Sequence, residues 1–224
     1  MIPWKELDRA EIPGSGGIIT LRQRGAEFSI RTTETELMNS RLHGSEDALA
    51  ELSCSRLKQK DSLRILIGGL GMGYTLAAAL EQSDKNTHIT VAELIPAVIR
   101  WNRQHLGHLA GGPLDDPRVS IQEEDVAESI RRKKSAWDAI LLDVDNGPDG
   151  LTLKANDRLY NIPGLKTSFA ALRPGGILAV WSSGPDEAFT YRLKRCQFQT
   201  ETVTVRAHKP GKGARHTIWL ARKP

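Results

Sequence analysis

Short apolar runs recur along this chain of 224 residues, separated by longer mixed stretches. The runs at 63–68, 88–94, 119–123, 138–144 and 176–182 have the length and composition of buried strands. Between them, 73–82, 96–106, 125–133 and 156–172 carry helical periodicity, and 185–195 follows the last strand. Strictly alternating strands and helices predict a parallel sheet with helices on both faces, because parallel neighbours need crossover connections. Two alternating runs close the chain. Thr200 to Arg206 puts Val203 and Val205 on one face, and His216 to Arg222 does the same with Ile218 and Leu220. Pro210-Gly211-Lys212-Gly213 joins them, so an antiparallel hairpin at the sheet edge is expected.

The first part of the chain reads differently. Residues 1–16 look irregular, broken by Pro13, Gly14, Gly16 and Gly17. Residues 18–22 and 27–31 read as two strands, with Arg24-Gly25 at the turn. Residues 38–44 form a connection with no assigned element. Ser45 is expected to cap a helix with Glu46 and Asp47 in its first turn and Ala48, Leu49, Leu52 and Leu57 on its apolar face. Two units follow: an appendage of hairpin and helix over 1–60, and an α/β domain over 61–224.

Chemistry concentrates where the first strand of that domain ends. Gly68, Gly69, Gly71 and Gly73 fall within six positions, followed by the Ala/Leu-rich stretch from Thr75 to Leu80. A strand, a glycine turn and a helix in this order let a ligand approach the backbone closely. Twenty residues after Gly73 the next strand reaches Glu93, the distance at which an acid grips ribose hydroxyls. A bound nucleoside is the expectation. Asp143 ends an apolar strand on the edge where open α/β sheets place their ligands.

Composition narrows the setting. No apolar run approaches the ~18–20 residues of a membrane span, and the N-terminus has no signal pattern. Cys54 and Cys196 match no metal spacing, which fits a cytoplasmic protein with reduced thiols. The net charge is +4, yet nine Lys/Arg and one acid, Glu201, lie between Tyr191 and Pro224. Lys209, Lys212 and Arg215 sit around the last turn, where phosphate contact competes with simple protection of a sheet edge. No aromatic stacking platform accompanies them, so nucleic acid is not the expected partner.

Several motifs carry a family resemblance. Gly68-Gly69-Leu70-Gly71-Met72-Gly73 resembles the first cofactor motif of the class I S-adenosylmethionine-dependent methyltransferase superfamily, and Leu172-Arg173-Pro174-Gly175-Gly176 resembles its entry to the fifth strand. More narrowly, Val91-Ala92-Glu93-Leu94, Asp116-Pro117-Arg118-Val119 with Glu124-Asp125-Val126, and Trp137 to Asp143 are similar to segments of spermidine synthases, the polyamine aminopropyltransferases. The resemblance implies a Rossmann-like fold with a mostly parallel seven-stranded sheet, a C-terminal antiparallel hairpin and a small N-terminal β-hairpin appendage. It implies a cofactor site of Gly68, Gly69, Leu70, Gly71, Gly73, Glu93, Leu94, Asp125, Val126 and Asp143. Glu93 would hold the ribose, Asp125 and the Val126 backbone the adenine, and Asp143 the nucleophile. Asp145, Asn146, Asp149 and Tyr160 would line the acceptor side, with Asn156 either beside Tyr160 or capping its helix. A homodimer is implied by resemblance alone.

Three departures fall on positions that handle amines. Gly71 stands where spermidine synthases usually carry an acid that holds the amino group of the decarboxylated cofactor. Asn146 replaces a second aspartate, with Asp145 just before it. The Tyr-His pair after the N-terminal hairpin has only His43 in its region. The sulfonium already carries an activated carbon, so the protein must bind the nucleoside, exclude water and hold a nucleophile at ~3–3.5 Å. Asp143 would hold an amine or hydroxyl and accept its proton. No metal is needed; the acidic loop from Asp143 to Gly150 lacks the final glutamate of a calcium loop. Because of Gly71, the expectation puts methyl transfer from S-adenosylmethionine to a small acceptor first. Aminopropyl transfer from decarboxylated S-adenosylmethionine to a diamine is the alternative, and a non-catalytic nucleoside- or RNA-binding module is the third.

Overall fold

A computed structural model describes residues 2–14, 16–57, 61–144, 148, 157–208 and 212–224. The chain opens with a four-stranded antiparallel sheet in simple order: β1 (Lys5–Glu11), β2 (Ile18–Arg24), β3 (Glu27–Thr32) and β4 (Glu36–Asn39). Helix α1 (Gly44–Ser55) leads to the α/β unit: β5 (Arg64–Gly68), α2 (Tyr74–Glu81), β6 (His88–Ala92), α3 (Pro96–Trp101), β7 (Val119–Gln122), α4 (Val126–Arg132), β8 (Trp137–Leu142), α5 (Asp157–Tyr160), α6 (Ile162–Ala171), β9 (Leu172–Ser182), α7 (Glu187–Arg195), β10 (Gln199–His208) and β11 (Lys212–Arg222). The second sheet runs β10-β11-β9-β8-β5-β6-β7. Its strands β5 to β9 are parallel, and β11 pairs antiparallel with both β9 and β10. This is the Rossmann-like architecture expected from the pattern.

Strand alternation divides the core into two layers, since successive side chains leave opposite faces. Ile65, Ile67, Ile89, Val91, Ala139 and Leu141 join one cluster with residues of α1, α2 and α3. Leu66, Ile140, Leu142, Leu178 and Val180 join the other with residues of α4, α6 and α7. Ile12, Ile19, Leu21, Phe28 and Ile30 of the N-terminal part belong to the first cluster, so the small sheet closes over the α1–α3 side. Helix α1 itself packs on α2, β9 and β10.

The pattern missed two strands and misplaced three helix details. Lys5–Glu11, expected to be irregular, is β1, and Glu36–Asn39 adds β4 where a connection was expected. Leu7 and Ala10 give β1 its only packed apolar positions. Its hold is polar instead: Asp8 Oδ2 accepts from Trp101 Nε1 at 2.7 Å and from Arg100 Nη2 at 3.0 Å. Ser45 does not cap α1, which starts at Gly44 with no side-chain cap. The expected helix over 96–106 leaves α geometry at Asn102, passing through a wider turn to Leu106 and a tighter one over Gly107–Ala110. The expected helix over 156–172 is two helices within its described part. Asn161 breaks it and caps α6, its side chain accepting from Gly164 N at 2.9 Å, with Pro163 in the first turn. No described helix is long and apolar enough to cross a membrane.

Replacing Asn161 with Ala orphans that amide and is expected to cost about 1 kcal/mol, lowering the Tm by about 2–4 °C. Thermal unfolding checks this, with Asn161→Asp keeping the acceptor; an unchanged Tm in the Ala variant would deny the cap any weight.

Candidate active site

The ends of β5, β6, β7 and β8 open onto a cavity of about 190 Å³ roofed by the N-terminal sheet. Gly69, Gly71, Glu93, Leu94, Asp125, Val126 and Asp143 all line it, at the carboxyl edge where such sheets take ligands. Ile12, Ile19, Ile30, Leu37 and Met38 line it from the other side. Glu46 reaches it from α1 and Trp181 from β9.

Two glycines set the floor. At Gly69, φ is +87° and an added Cβ would stand 2.5 Å from the carbonyl oxygen of Asp143, so backbone from β5 and β8 meets there with no room for a side chain. At Gly71, φ is +52° and a Cβ would stand 2.8 Å from Met38 Sδ. The space over this position is filled by a thioether from β4.

Glu93 follows β6 and is 6% exposed. Its Oε2 accepts from Leu70 N and its Oε1 from Ile95 N, each at 2.8 Å. Burial pushes its carboxyl up while these backbone amides pull it down. The amides of Leu94 and Gly71 also favour its ionised form. Asp125 combines two roles: Oδ1 accepts from Ala127 N at 2.7 Å as the N-cap of α4, and Oδ2 pairs with Arg158. Val126 packs against Gly68 and forms part of the wall. Leu70 contributes its amide to Glu93, and Gly73 starts α2 in the left-handed region.

Asp143 comes directly after β8. Its Oδ2 accepts from Thr75 Oγ1 at 2.7 Å, and the same hydroxyl lies 3.3 Å from the Glu46 carbonyl oxygen. Desolvation pushes Asp143 up from 3.8 to about 6. Glu46 goes from 4.5 to about 7, through burial first and then the charge of Asp143. Two carboxylates in one partly dry cavity resist ionising together. Glu46 escaped the sequence reading because an acid in the first turn of a helix is accounted for by the helix dipole alone. Its signal was a position one turn inside the segment where the family's Tyr-His pair was sought. Tyr74 stacks on His43 at 4.0 Å between ring centres, and burial with the Asp47 and Glu46 charges pushes its phenol up to about 12.

Tyr160 does not line the cavity. It is 2% exposed, and its hydroxyl donates to Val144 O at 3.2 Å, bracing the backbone just after Asp143. Asp145, Asn146, Asp149, Asn156 and Lys209 lie outside the described residues.

Comparison with known proteins bears on this site. A family model described as "Spermine/spermidine synthase domain" matches residues 48–204. Polyamine aminopropyltransferase 2 of Pseudomonas aeruginosa is 32% identical over 120 residues, covering 52% of this chain and 32% of that protein. Polyamine aminopropyltransferase 1 of Streptomyces coelicolor is 32% identical over 123 residues, covering 54% of this chain and 22% of that one. The chain therefore matches less than half the length of these curated relatives. Among solved structures, the spermidine synthase from Thermotoga maritima superimposes with a TM-score of 0.76 at 18% identity, over 98% of this chain and 73% of that one. A spermidine synthase in complex with the transition state analogue AdoDATO gives 0.75 at 18% identity, with the same coverage. At that identity the structural likeness speaks for the fold. The family match runs from α1 into β10, well over half of the residues, and the chain belongs to the spermine/spermidine synthase domain family.

Proposed function

We propose that the chain transfers an aminopropyl group from decarboxylated S-adenosylmethionine to a small amine. The carrying observation is the pair Glu46 and Asp143 in the cavity wall. Gly71 had favoured methyl transfer, since the glycine loop offers no acid for an amino group. Glu46 supplies an acid from α1 instead. Two carboxylates that raise each other's proton affinity are relieved by a cation between them and aggravated by an anion. Such a site favours an aminated donor and acceptor over the carboxylate-bearing S-adenosylmethionine. The family match and the names of the curated relatives weigh on the same side.

The residues present fit the nucleoside. Glu93 lines the cavity and is held by the amides of Leu70 and Ile95, and Gly69 lets a ligand rest on backbone. The bound donor supplies an activated carbon beside a sulfonium. Thr75 fixes the rotamer of Asp143, which holds the acceptor nitrogen and takes its proton. The apolar wall from Ile19, Ile30, Leu37 and Met38 keeps water away and strengthens each charge inside.

Calorimetric titration of the two donors, decarboxylated and intact, tests this. The decarboxylated form is expected to bind at least ~10-fold more tightly, and Glu93→Ala to weaken both by about 1.5–3 kcal/mol, or ~10–150-fold. Preference for the intact form would restore methyl transfer.

A pH dependence follows from the raised carboxyls. The folded state binds these protons more tightly than the unfolded chain does. The stability they contribute is complete below about pH 4 and is lost as pH rises through about 7. Glu46→Gln is expected to gain on the order of 1–2 kcal/mol over the wild type at pH 8 and nothing at pH 4. Denaturant unfolding at the two pH values measures it; equal effects at both would mean that Glu46 is not strained by burial. In the wild type, binding of the decarboxylated donor should tighten from pH 5 to pH 8 as the pair ionises.

A further inference from the structure

A line of polar groups leaves the carboxylate pair and is not used by the steps above. Ser45 Oγ donates to Glu46 Oε2 at 2.6 Å, and His216 Nδ1 lies 2.8 Å from the same Oγ. Ser45 is fully buried and Glu46 is buried, while His216, on β11, is only half-buried. The His216 ring meets Trp181 edge-on at 4.8 Å, and Trp181 lines the cavity. Residues 171 positions apart are thus joined through one hydroxyl. That hydroxyl is turned away from capping its own helix.

A serine hydroxyl donates once and accepts at the same time, so the line serves two protonation states without movement. With Glu46 protonated, Glu46 donates to Ser45 and Ser45 donates to Nδ1. After a concerted shift, Nδ1–H donates to Ser45 and Ser45 donates to the ionised Glu46.

We propose that Ser45 and His216 form the outlet for the proton that the acceptor ammonium gives up during transfer. The proposal rests on the aminopropyl reading and adds two positioning residues to it. The new C–N bond forms as the C–S bond breaks, and that electron pair stays on sulfur. One proton passes from the acceptor nitrogen to the Asp143–Glu46 pair. Glu46 returns it through Ser45 to His216 Nδ1, and one proton leaves Nε2 for solvent; before the next turnover the ring re-tautomerises, Nδ1 losing and Nε2 regaining a proton, and the Ser45 hydroxyl turns back toward Nδ1. Without an outlet the pair would stay protonated after each turnover and could not take the next proton. Around the inner end stand Asp143 from the end of β8, Glu93 from the end of β6, Glu46 and Asp47 from α1, His43 just before α1, which pairs with Asp47, and Tyr74 from α2. At the outer end Val205 of β10 stands opposite His216, and Arg206 and Arg215 flank it, both exposed. Burial holds the imidazole below its ordinary value, which suits a group that must let its proton go.

Two measurements on the full chain decide this. The first is a ¹⁵N NMR titration of the His216 imidazole without any ligand. Its Nδ1 signal is expected to show a second inflection where Glu46 titrates, near pH 7, and to lose it in Glu46→Gln and in Ser45→Ala. A single unchanged inflection in all three proteins overturns the relay. The second is the pH profile of turnover with the decarboxylated donor and a panel of small amines. Ser45→Ala and His216→Gln should each lower kcat about 10-fold or more near neutral pH, less than the ~10²–10⁴-fold of a group that transfers the proton directly to substrate. KM should stay close to the wild type, and the deficit should shrink as pH rises and the amine enters unprotonated. An unchanged kcat profile overturns the outlet. Coupled titration in a protein that transfers nothing would mean that the aminopropyl reading, and with it the outlet, has failed. Turnover with an uncoupled His216 would mean that the relay alone has failed.

Discussion

Glu93 is the point on which the glycine-turn side of the cavity depends. A carboxylate this deeply buried stands only because backbone amides replace its lost water, from Leu70 in the glycine turn and from Ile95 at the start of α3. The same bonds tie the turn after β5 to the end of β6. Gly69 N also donates to Ala92 O at 2.9 Å and Asn102 Nδ2 to Gly71 O at 2.8 Å, so Gly69 is kept against the Asp143 carbonyl and a nucleoside would meet a surface already in place. Pre-organisation of this kind reduces the ordering cost of binding. It also explains why the acid and the glycines must be read together: either alone is a local feature, and the hydrogen bonds make them one site.

The second constraint is repulsive. Asp143 and Glu46 come from different elements and share one partly dry cavity; burial raises the proton affinity of both, and the charge of Asp143 raises that of Glu46 further. Thr75 stabilises the ionised form of Asp143, and Ser45 does the same for Glu46. Each hydroxyl therefore keeps one carboxylate available for charge while desolvation argues against it. The fold carries the cost in the empty state, and a cationic ligand would remove it. This is a common physical basis for selectivity between ligands that differ by a single carboxylate.

The sheet was legible because its signal is dense. The central parallel strands are near-continuous apolar runs, since both faces are covered by helices, while edge strand β7 alternates; Glu93 and Asp143 come directly after β6 and β8. The small sheet was only half legible. Ile18–Arg24 and Glu27–Thr32 show alternation, but Lys5–Glu11 is nearly all polar and is secured by Asp8 reaching Trp101, a contact 93 residues away in sequence. No local pattern announces such a bond. Asn161 looked like one more helix residue until its side chain was seen to accept from Gly164. Glu46 was the costliest omission: its sequence setting is that of any first-turn acid, and its place in the cavity comes from the tertiary approach of α1 to α2 and β8.

The Gly71 position shows how such an omission can reverse a functional reading. An acid there would need the room that Met38 of β4 occupies, and the backbone at φ +52° already disfavours any side chain. With β4 packed over the glycine turn, an acidic side chain here would have to push the Met38 thioether aside from an already strained backbone. A nearby helix can still deliver one, and α1 does so from the neighbouring side with its charge poised against Asp143. What a cationic ligand recognises is the electrostatic potential in the cavity, which depends on where the carboxylate oxygens stand and not on which segment carries them. A glycine at one motif position is thus evidence about the loop, and it becomes evidence about the ligand only when every other wall of the cavity has been counted.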